Sequence, residues 1–182
     1  MRKFEKITNQ QWLKDTGLGT RPVPVATEHT GTMERTVLNM VDVYEEDIRL
    51  PRRATKKSAG YDIFSPVNIS IMQHEAVRIP PGLKCQMEDD DVLFFIIRSS
   101  LAIKYGITTT NQVGVIDADY YNNPDNEGHM WICLRNDSDK EFKINVGDRI
   151  SQAIFVKFGI VEDDLPIKEE RVGGFGSTTE KK

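Results

Sequence analysis

The chain has 182 residues, 38% of them hydrophobic and 29% charged, which is enough for one domain with a buried core. Its formal net charge of -4 argues against nucleic acid as a partner. The N-terminal residues lack the apolar run of a secretory signal, and no stretch approaches the length of a membrane span, so we expect no membrane partner. The two cysteines lie in apolar runs, which favours buried thiols. We therefore expect a soluble protein of the cytoplasm.

Residues 1–36 differ in pattern from the rest of the chain. The segment Thr8–Asp15 predicts a short helix with Thr8 as its N-cap, which Gly17 and Gly19 would end. Residues 17–36 combine Gly, Pro, Thr and charged residues with little periodicity, so we predict a loop or partly disordered linker there. We interpret residues 1–36 as an N-terminal arm. A protein partner of this arm, if there is one, stays unknown from the sequence.

Residues 37–165 carry short apolar runs separated by turn signals such as Pro80-Pro81-Gly82 and Gly147-Asp148. Many short strands with frequent turns are typical of an all-β sandwich or barrel. Within this region, Ser99–Tyr105 has the pattern of a helical turn. Residues 166–182 form a glycine-rich tail. The predicted strands are Val37–Val43, Tyr61–Phe64, Val67–Met72, Ala76–Ile79, Leu83–Met87, Val92–Ile97, Ile107–Thr109, Met130–Leu134, Phe142–Ile144 and Ile150–Phe158.

The stretch Asn111–Tyr120 combines an apolar strand-like run with two acids, Asp117 and Asp119. Residues two apart in an extended chain point to the same face, so both carboxylates would share one side of a strand end. When two carboxylates lie so near each other, their repulsion raises the pKa of one of them unless a cation or hydrogen-bond donors compensate. The alternative interpretation is a strand that runs into an acidic surface turn.

Four further stretches have a functional interpretation beside a structural one. Ser58–Ile63 places a glycine before an acid at a strand start, and Val146–Gln152 is a turn into a long apolar strand. Ile97–Ala102 leads through an arginine and two serines into a helical turn, which suits a helix cap or an anion site. Arg171–Thr179 is dense in glycine, which suits either a flexible tail or a flap whose Phe175 stacks on a flat base.

Taken in this order, the five stretches resemble the motifs of the trimeric dUTP diphosphatase (dUTPase) family, and the likeness runs from about Leu50 to Thr179. The resemblance implies an all-β fold, a distorted β-barrel or jelly-roll, here with an N-terminal extension. It also implies hydrolysis of dUTP to dUMP and pyrophosphate with Mg²⁺ as cofactor. The family resemblance further implies a homotrimer whose active sites are shared between subunits.

The resemblance also implies roles for particular residues. Asp117 would position and deprotonate the attacking water as general base. Asp62 would orient the metal indirectly, through water, and Tyr120 would pack against the deoxyribose. The phosphate-binding residues implied in the same way are Arg98, Ser99, Ser100 and Gln152. The uracil-binding residues are Asn111, Gly114, Val115 and Ile116. The residues of the closing flap are Arg171, Gly174, Phe175, Gly176 and Ser177.

Three features depart from the family pattern. Ser100 stands where glycine is common, which requires a negative φ at this position. Residues Asn122–Glu127 form a six-residue insertion before Gly128. Its Asn, Pro and Asp content favours a plain loop extension over a subunit contact or an acidic edge that faces the metal. Arg171 precedes the Gly-Gly-Phe-Gly sequence by one residue, where the family usually has two.

Two other functions compete with dUTP hydrolysis. One is a dCTP deaminase or a bifunctional deaminase–diphosphatase of the same fold, which needs a glutamate at the base, and Asn111–Asp117 contains none. The other is a regulatory binding protein that senses dUTP without turning it over. The presence of Asp62, Asp117 and Phe175 together favours the enzyme.

Overall fold

The computed structural model describes residues 1–30 and 33–166, and it describes the side chains of these residues outside positions 22–39. Most of its regular elements are strands of two to eleven residues. The strands are β1 Lys3–Lys6, β2 Thr20–Thr30, β3 Met33–Asp42, β4 Arg52–Arg53, β5 Tyr61–Phe64, β6 Ile69–Ile71, β7 Ala76–Ile79, β8 Leu83–Gln86, β9 Asp91–Ile96, β10 Ile107–Thr109, β11 Gly114–Asp117, β12 Ile132–Asn136, β13 Phe142–Ile144 and β14 Arg149–Lys157. The helices are α1 Asn9–Thr16, α2 Val43–Glu46 and α3 Ser99–Tyr105, with a 3₁₀ turn at Ala118–Tyr120.

The largest sheet has five antiparallel strands in the order β11-β9-β14-β5-β4. A second sheet has the order β10-β12-β7, and β1-β8, β13-β6 and β2-β3 form two-stranded sheets. Short strands joined by turns distribute the apolar residues over several small layers, as the sequence pattern predicts. The all-β class is therefore confirmed, and so is the helical turn at Ser99–Tyr105.

One hydrophobic core connects the five-stranded sheet with the sheets β10-β12-β7, β1-β8 and β13-β6, and it includes residues of the N-terminal arm. Cys85 lies in this core, and burial raises the pKa of its thiol to about 12, whereas Cys133 is half-buried. Both cysteines are free thiols. The largest fully buried side chains are Ile7, Trp12, Ile63, Ile71, Ile79, Leu83, Leu93, Ile107, Met130, Ile132, Leu134 and Ile150.

The first part of the arm docks on the rest of the protein. Strand β1 pairs with β8 in antiparallel register, and Ile7 and Trp12 are both 0% exposed. The predicted helix is confirmed as α1: the Thr8 side chain accepts a hydrogen bond from the Gln11 N–H, and Gly17 ends the helix with a φ of 69°. Residues of the segment 3–16 thus belong to the same core as the strands that follow. The division of the chain at residue 36 stays a prediction.

The predicted loop or linker is wrong for residues 20–30 and 33–36, which lie in strands, whereas residues 17–19 lie outside helices and strands as predicted. Strands β2 and β3 pair along their length as an antiparallel hairpin, with a register shift between Pro24 and Ala26. The two prolines at 22 and 24 suggest a loop, but proline is compatible with edge strands and bulges. Among the described residues β2 pairs with β3 alone, so it is such an edge strand. The predicted strand Val37–Val43 ends one residue early, because the Asp42 side chain accepts hydrogen bonds from the first N–H groups of α2.

The docked arm predicts a large loss of stability on core truncation. Trp12→Ala is expected to lower the free energy of unfolding by about 3–5 kcal/mol, since it empties a fully buried site. It also removes the hydrogen bond from the indole N–H to the Leu18 carbonyl at 2.6 Å. The matched control is Leu13→Ala, the next residue of the same helix, which is half exposed and should cost about 1 kcal/mol or less. Urea denaturation measures both variants, and equal losses would contradict the docking.

No helix in the described part of the chain combines the length and the apolarity that crossing a bilayer requires.

Candidate active site

Asp117 lies at the C-terminal end of β11, which is an edge strand of the five-stranded sheet. Within the described residues, β11 pairs on one side only, with β9. Its other edge presents backbone N–H and C=O groups outward, as unpaired strand edges do. Val115 is 54% exposed and shares a face with the exposed Asp117, while Gly114 and Ile116 are half-buried. This edge brings the predicted uracil-binding residues and the predicted base together.

The turn before β11 brings Asn111 beside Gly114. Gln112 adopts a left-handed φ of 60°, and its N–H donates to the Thr109 carbonyl at 3.0 Å. A Cβ atom at Gly114 would lie 3.1 Å from Cβ of Phe95 and 3.8 Å from Nδ2 of Asn111. Glycine at position 114 therefore leaves the backbone accessible from the side on which the Asn111 amide lies.

A second cluster forms around Asp62, which is 7% exposed. One carboxylate oxygen lies 3.1 Å from Nε of Arg98, and the other accepts a hydrogen bond from Nη1 of Arg149 at 3.2 Å. Gln152 pairs with Asp62 across β14 and β5. A Cβ atom at Gly60 would lie 2.5 Å from Oε1 of Gln152, so glycine makes room for this side chain. Three predicted site residues thus meet at one place, together with Arg149.

One residue of this cluster, Arg149, was not predicted as a site residue. It pairs with an acid across strands and shares the Asp62 carboxylate with Arg98. No local pattern could signal this pair, because the two arginines and the aspartate lie on segments far apart in sequence. Only the pairing of β14 with β5 brings them together.

Ser99 and Ser100 open helix α3. Arg98 occupies the N-cap position with φ -72° and ψ 136°, and no side chain caps the helix there. The interpretation of Ser99 as a mere helix cap is therefore wrong. Ser100 lies inside the helix and is not among the residues with positive φ, so replacing the family's common glycine by serine causes no backbone strain.

These two clusters lie at opposite ends of β9. Asp117 pairs with Val92, whereas Gln152 pairs with Ile96 and Arg98 follows two residues later. Arg98 lies six positions after Val92, which corresponds to about 20 Å along an extended chain. Residues 117 and 98 therefore lie far apart within one chain.

Neither cluster resembles a protein cage for a metal ion. The part of the chain that the structure describes holds no group of three or more His, Cys, Asp or Glu side chains that could bind one. Both oxygens of Asp62 face guanidinium groups, so direct ligation of Mg²⁺ by this carboxylate does not fit. Asp117 and Asp119 line a shallow depression of about 410 Å³ together with Asp89 and Phe158. An ion that takes its oxygen ligands from water and substrate would need no protein cage.

Tyr120 lies inside the subunit and is 5% exposed. Its hydroxyl donates to the His129 carbonyl at 3.3 Å and accepts from Nδ2 of Asn126 at 2.7 Å. A Cβ atom at Gly128 would lie 2.2 Å from the Tyr120 carbonyl oxygen, and Gly128 has a φ of 77°. The insertion is therefore packed on Tyr120, and it consists mostly of turns, as its Asn, Pro and Asp content predicts. The contact of Tyr120 with deoxyribose stays a prediction, limited to a small exposed edge.

The predicted flap residues lie outside the described residues, and their roles stay predictions. They are Arg171, Gly174, Phe175, Gly176 and Ser177.

Comparison with known proteins shows the family of this chain. The sequence model of the dUTPase family matches residues 46–179. The deoxyuridine 5'-triphosphate nucleotidohydrolase of Lactococcus lactis is 48% identical over 132 residues, which cover 72% of this chain and 88% of that protein. The crystal structure of dUTPase from Streptococcus mutans matches with a TM-score of 0.61 and 38% identity, covering 65% of this chain and 91% of that one.

A dUTPase mutant of phage phi11 of S. aureus, whose structure describes the coordination of a structural Mg(II) ion, matches with a TM-score of 0.57 and 22% identity over 70% of this chain and 95% of that one. At that identity it supports the fold alone. The predicted dUTPase-type fold is confirmed by these structural matches. The chain belongs to the dUTPase family of dUTP-hydrolysing enzymes.

Proposed function

We propose that this protein hydrolyses dUTP to dUMP and pyrophosphate with a water activated by Asp117, at active sites shared between the subunits of a homotrimer. The reaction would limit uracil incorporation into DNA and supply dUMP for dTMP synthesis. The cytoplasm, expected from composition, is the proposed location. The observation that carries the shared site is the separation of Asp117 and Arg98 along β9.

A general base and the phosphate that its water attacks must come within hydrogen-bond reach of each other, about 3 Å. Since about 20 Å of strand separates the two clusters in one subunit, the base of one subunit would serve the phosphate site of another. The surface near Asp117 supports this arrangement, because Val115, Val156 and Phe158 are exposed apolar side chains there. A closed cyclic assembly repeats such a contact at every interface and covers these side chains.

In the proposed reaction, the water oxygen attacks the α-phosphorus of dUTP, and the Asp117 carboxylate accepts the proton that this water loses. The anhydride bond between the α- and β-phosphorus breaks, and pyrophosphate leaves with the bridging oxygen. Arg98, Ser99, Ser100 and Gln152 of another subunit would hold the phosphates by charge and hydrogen bonds. Asp62 fixes the Arg98 guanidinium through their ion pair, which supports a positioning role for this carboxylate.

Base selection would occur on the free edge of β11. Backbone donors and acceptors at Gly114–Ile116, with the Asn111 side chain, would pair with the uracil edge. Cytosine would leave buried polar groups mispaired. Such mispairing discriminates far more strongly between ligands than a difference of one methylene group does. A hairpin packed against carbon five would exclude the methyl group of thymine. Tyr120 and the closing flap with Phe175 would contact sugar and base.

Mg²⁺ is proposed to arrive with the triphosphate. The ion would neutralise phosphate charge, keeping several waters and contacting the protein near Asp62 through water. The ion pairs of Asp62 with Arg98 and Arg149 support this indirect contact over direct ligation.

Pyrophosphate release from dUTP, dTTP, dCTP and UTP tests the proposal. With magnesium, dUTP is expected to exceed each of the others by about 10²-fold or more in kcat/KM, since the polar edge and the sugar contact both discriminate. Excess chelator is expected to abolish most of the turnover. Comparable turnover of UTP or dTTP would contradict the assigned base and sugar contacts. Ammonia release from dCTP would indicate deaminase chemistry instead.

A further inference from the structure

The N-terminal arm is attached at both ends of helix α1 to the loop 121–129, which contains the insertion. At the first end, the Thr8 N–H donates to Oε2 of Glu127 at 2.9 Å, and the Thr8 hydroxyl donates to the other oxygen of the same carboxylate. At the last turn, Oδ2 of Asp15 lies 2.6 Å from Nδ1 of His129. Residues 127 and 129 therefore each connect to one end of the helix.

His129 is fully buried, and its protonation state follows from its neighbours. Its Nε2 accepts the Gly82 N–H at 3.1 Å, so the ring proton lies on Nδ1 and is donated to Asp15. Burial lowers the pKa of His129, and the negative charges of Asp15 and Glu127 oppose this effect only in part. A neutral imidazole is therefore the form that holds the two segments together.

Further contacts fix the rest of the loop 121–129. The Lys14 ammonium donates to the Asp125 carbonyl at 2.8 Å, and the Tyr121 hydroxyl donates to Oε2 of Glu5 at 2.7 Å. Lys84, on the strand that pairs with β1, donates to Oδ1 of Asn122 at 2.7 Å. The loop is thus held along its length by the arm and by the strand that pairs with the arm.

The same loop also holds Tyr120, the last residue of the 3₁₀ turn. Tyr120 accepts the Asn123 N–H on its carbonyl at 3.2 Å, and its hydroxyl bonds to Asn126 and to the His129 carbonyl. Tyr120 ends the 3₁₀ turn that begins directly after Asp117. A series of hydrogen bonds therefore runs from the arm through the loop to Tyr120, three residues after Asp117.

We propose that residues 1–16 and the loop 121–129 form an internal brace that fixes the Asp117–Tyr120 turn, with Glu127 and Asp15 as positioning residues for hydrolysis. This inference rests on the proposed role of Asp117. The arm then has its binding partner within the same chain, in the loop 121–129. A misplacement of a catalytic group by about 1 Å can cost up to about 10²-fold in rate, so loosening the brace should act on the chemical step.

Kinetics of Glu127→Ala and Asp15→Ala test the brace. Each is expected to lower kcat about tenfold, with KM and the affinity for α,β-imido-dUTP changed less than about twofold. Glu127→Gln, whose amide oxygen still accepts a hydrogen bond from Thr8, is expected to keep most of the rate. The matched control is Asp139→Ala, a carboxylate that is 98% exposed, which should leave all parameters unchanged.

Unchanged kcat in folded alanine variants would overturn the brace and leave these contacts a stabilising role only. Thermal melting establishes that each variant is folded at the assay temperature. If one is unfolded, Thr8→Ala removes the hydroxyl bond to Glu127 together with the N-cap bond from the Gln11 N–H. It is expected to lower kcat about threefold, and no decrease would again overturn the proposal. If Asp117→Asn keeps full turnover, the proposed function fails; if it is inactive while the brace variants are fully active, only the brace fails.

A pH titration gives a second readout on the wild-type protein. Both tryptophans of the chain contact His129, with ring centroids 6.4 Å (Trp12) and 5.0 Å (Trp131) away, so their fluorescence reports on it. Because the folded pKa is lowered, the stability from neutral His129 is complete above its ordinary pKa of about 6.5. It is lost as the pH falls from there towards the folded value. Emission and kcat should change together once the pH falls through the folded value and the ring is protonated, and a change in emission with constant kcat would contradict the brace.

Discussion

Replacing Asp117 by asparagine is expected to reduce dUTP turnover by about 10²–10⁴-fold, the range that general-base catalysis contributes. The amide cannot accept the proton of the attacking water, but it has nearly the same shape. Binding of α,β-imido-dUTP should therefore stay within about threefold of the wild-type affinity. Pyrophosphate release and isothermal titration calorimetry measure the two effects separately.

Asp119→Asn is the matched control for this experiment. Asp119 lines the same depression two residues further along the chain and carries the same charge. The Asp119→Asn variant should therefore lose far less turnover than the Asp117→Asn variant. Equal losses would indicate that the negative charge of the depression matters rather than a base at position 117. Unchanged turnover in the Asp117→Asn variant would remove the assigned base.

The shared active site predicts that two inactive variants rescue each other. Asp117→Asn and Arg98→Ala are each expected to keep at most about 1% of the turnover as pure proteins. In mixed assemblies, one subunit supplies an intact Asp117 and another supplies an intact Arg98. Random assortment of equal amounts would make about one site in four complete, so turnover should return to about a quarter of the wild-type value.

Co-expression of the two variants with different affinity tags provides the mixed assemblies. Mixing the separately purified proteins without subunit exchange is the control, and it should stay inactive. A single-chain site would give no recovery in either sample, because every subunit would lack one of the two residues. Such a result would contradict the site shared between subunits, which we infer from the separation of about 20 Å along β9.

The sequence by itself determined the fold class, most strand positions and the motif residues. Strands β5, β7, β10 and β13 lie at the predicted residues, because alternating apolar runs between turn signals depend only on local pattern. Helix α1 was predictable for the same reason, since Thr8 and Gly17 are local start and stop signals. The motif spacing likewise pointed to the family that the comparisons confirmed.

The tertiary structure alone decided how these residues combine. The β2–β3 hairpin was missed because its prolines lower strand propensity, while its pairing involves residues up to 22 positions apart. The sharing of Asp62 between Arg98 and Arg149, and the attachment of the arm to the insertion, likewise join segments far apart in sequence. Strand register places Asp117 and Arg98 at opposite ends of β9. Local sequence specifies a strand and its faces, but which strands pair, and in which register, follows from the packing of the whole core.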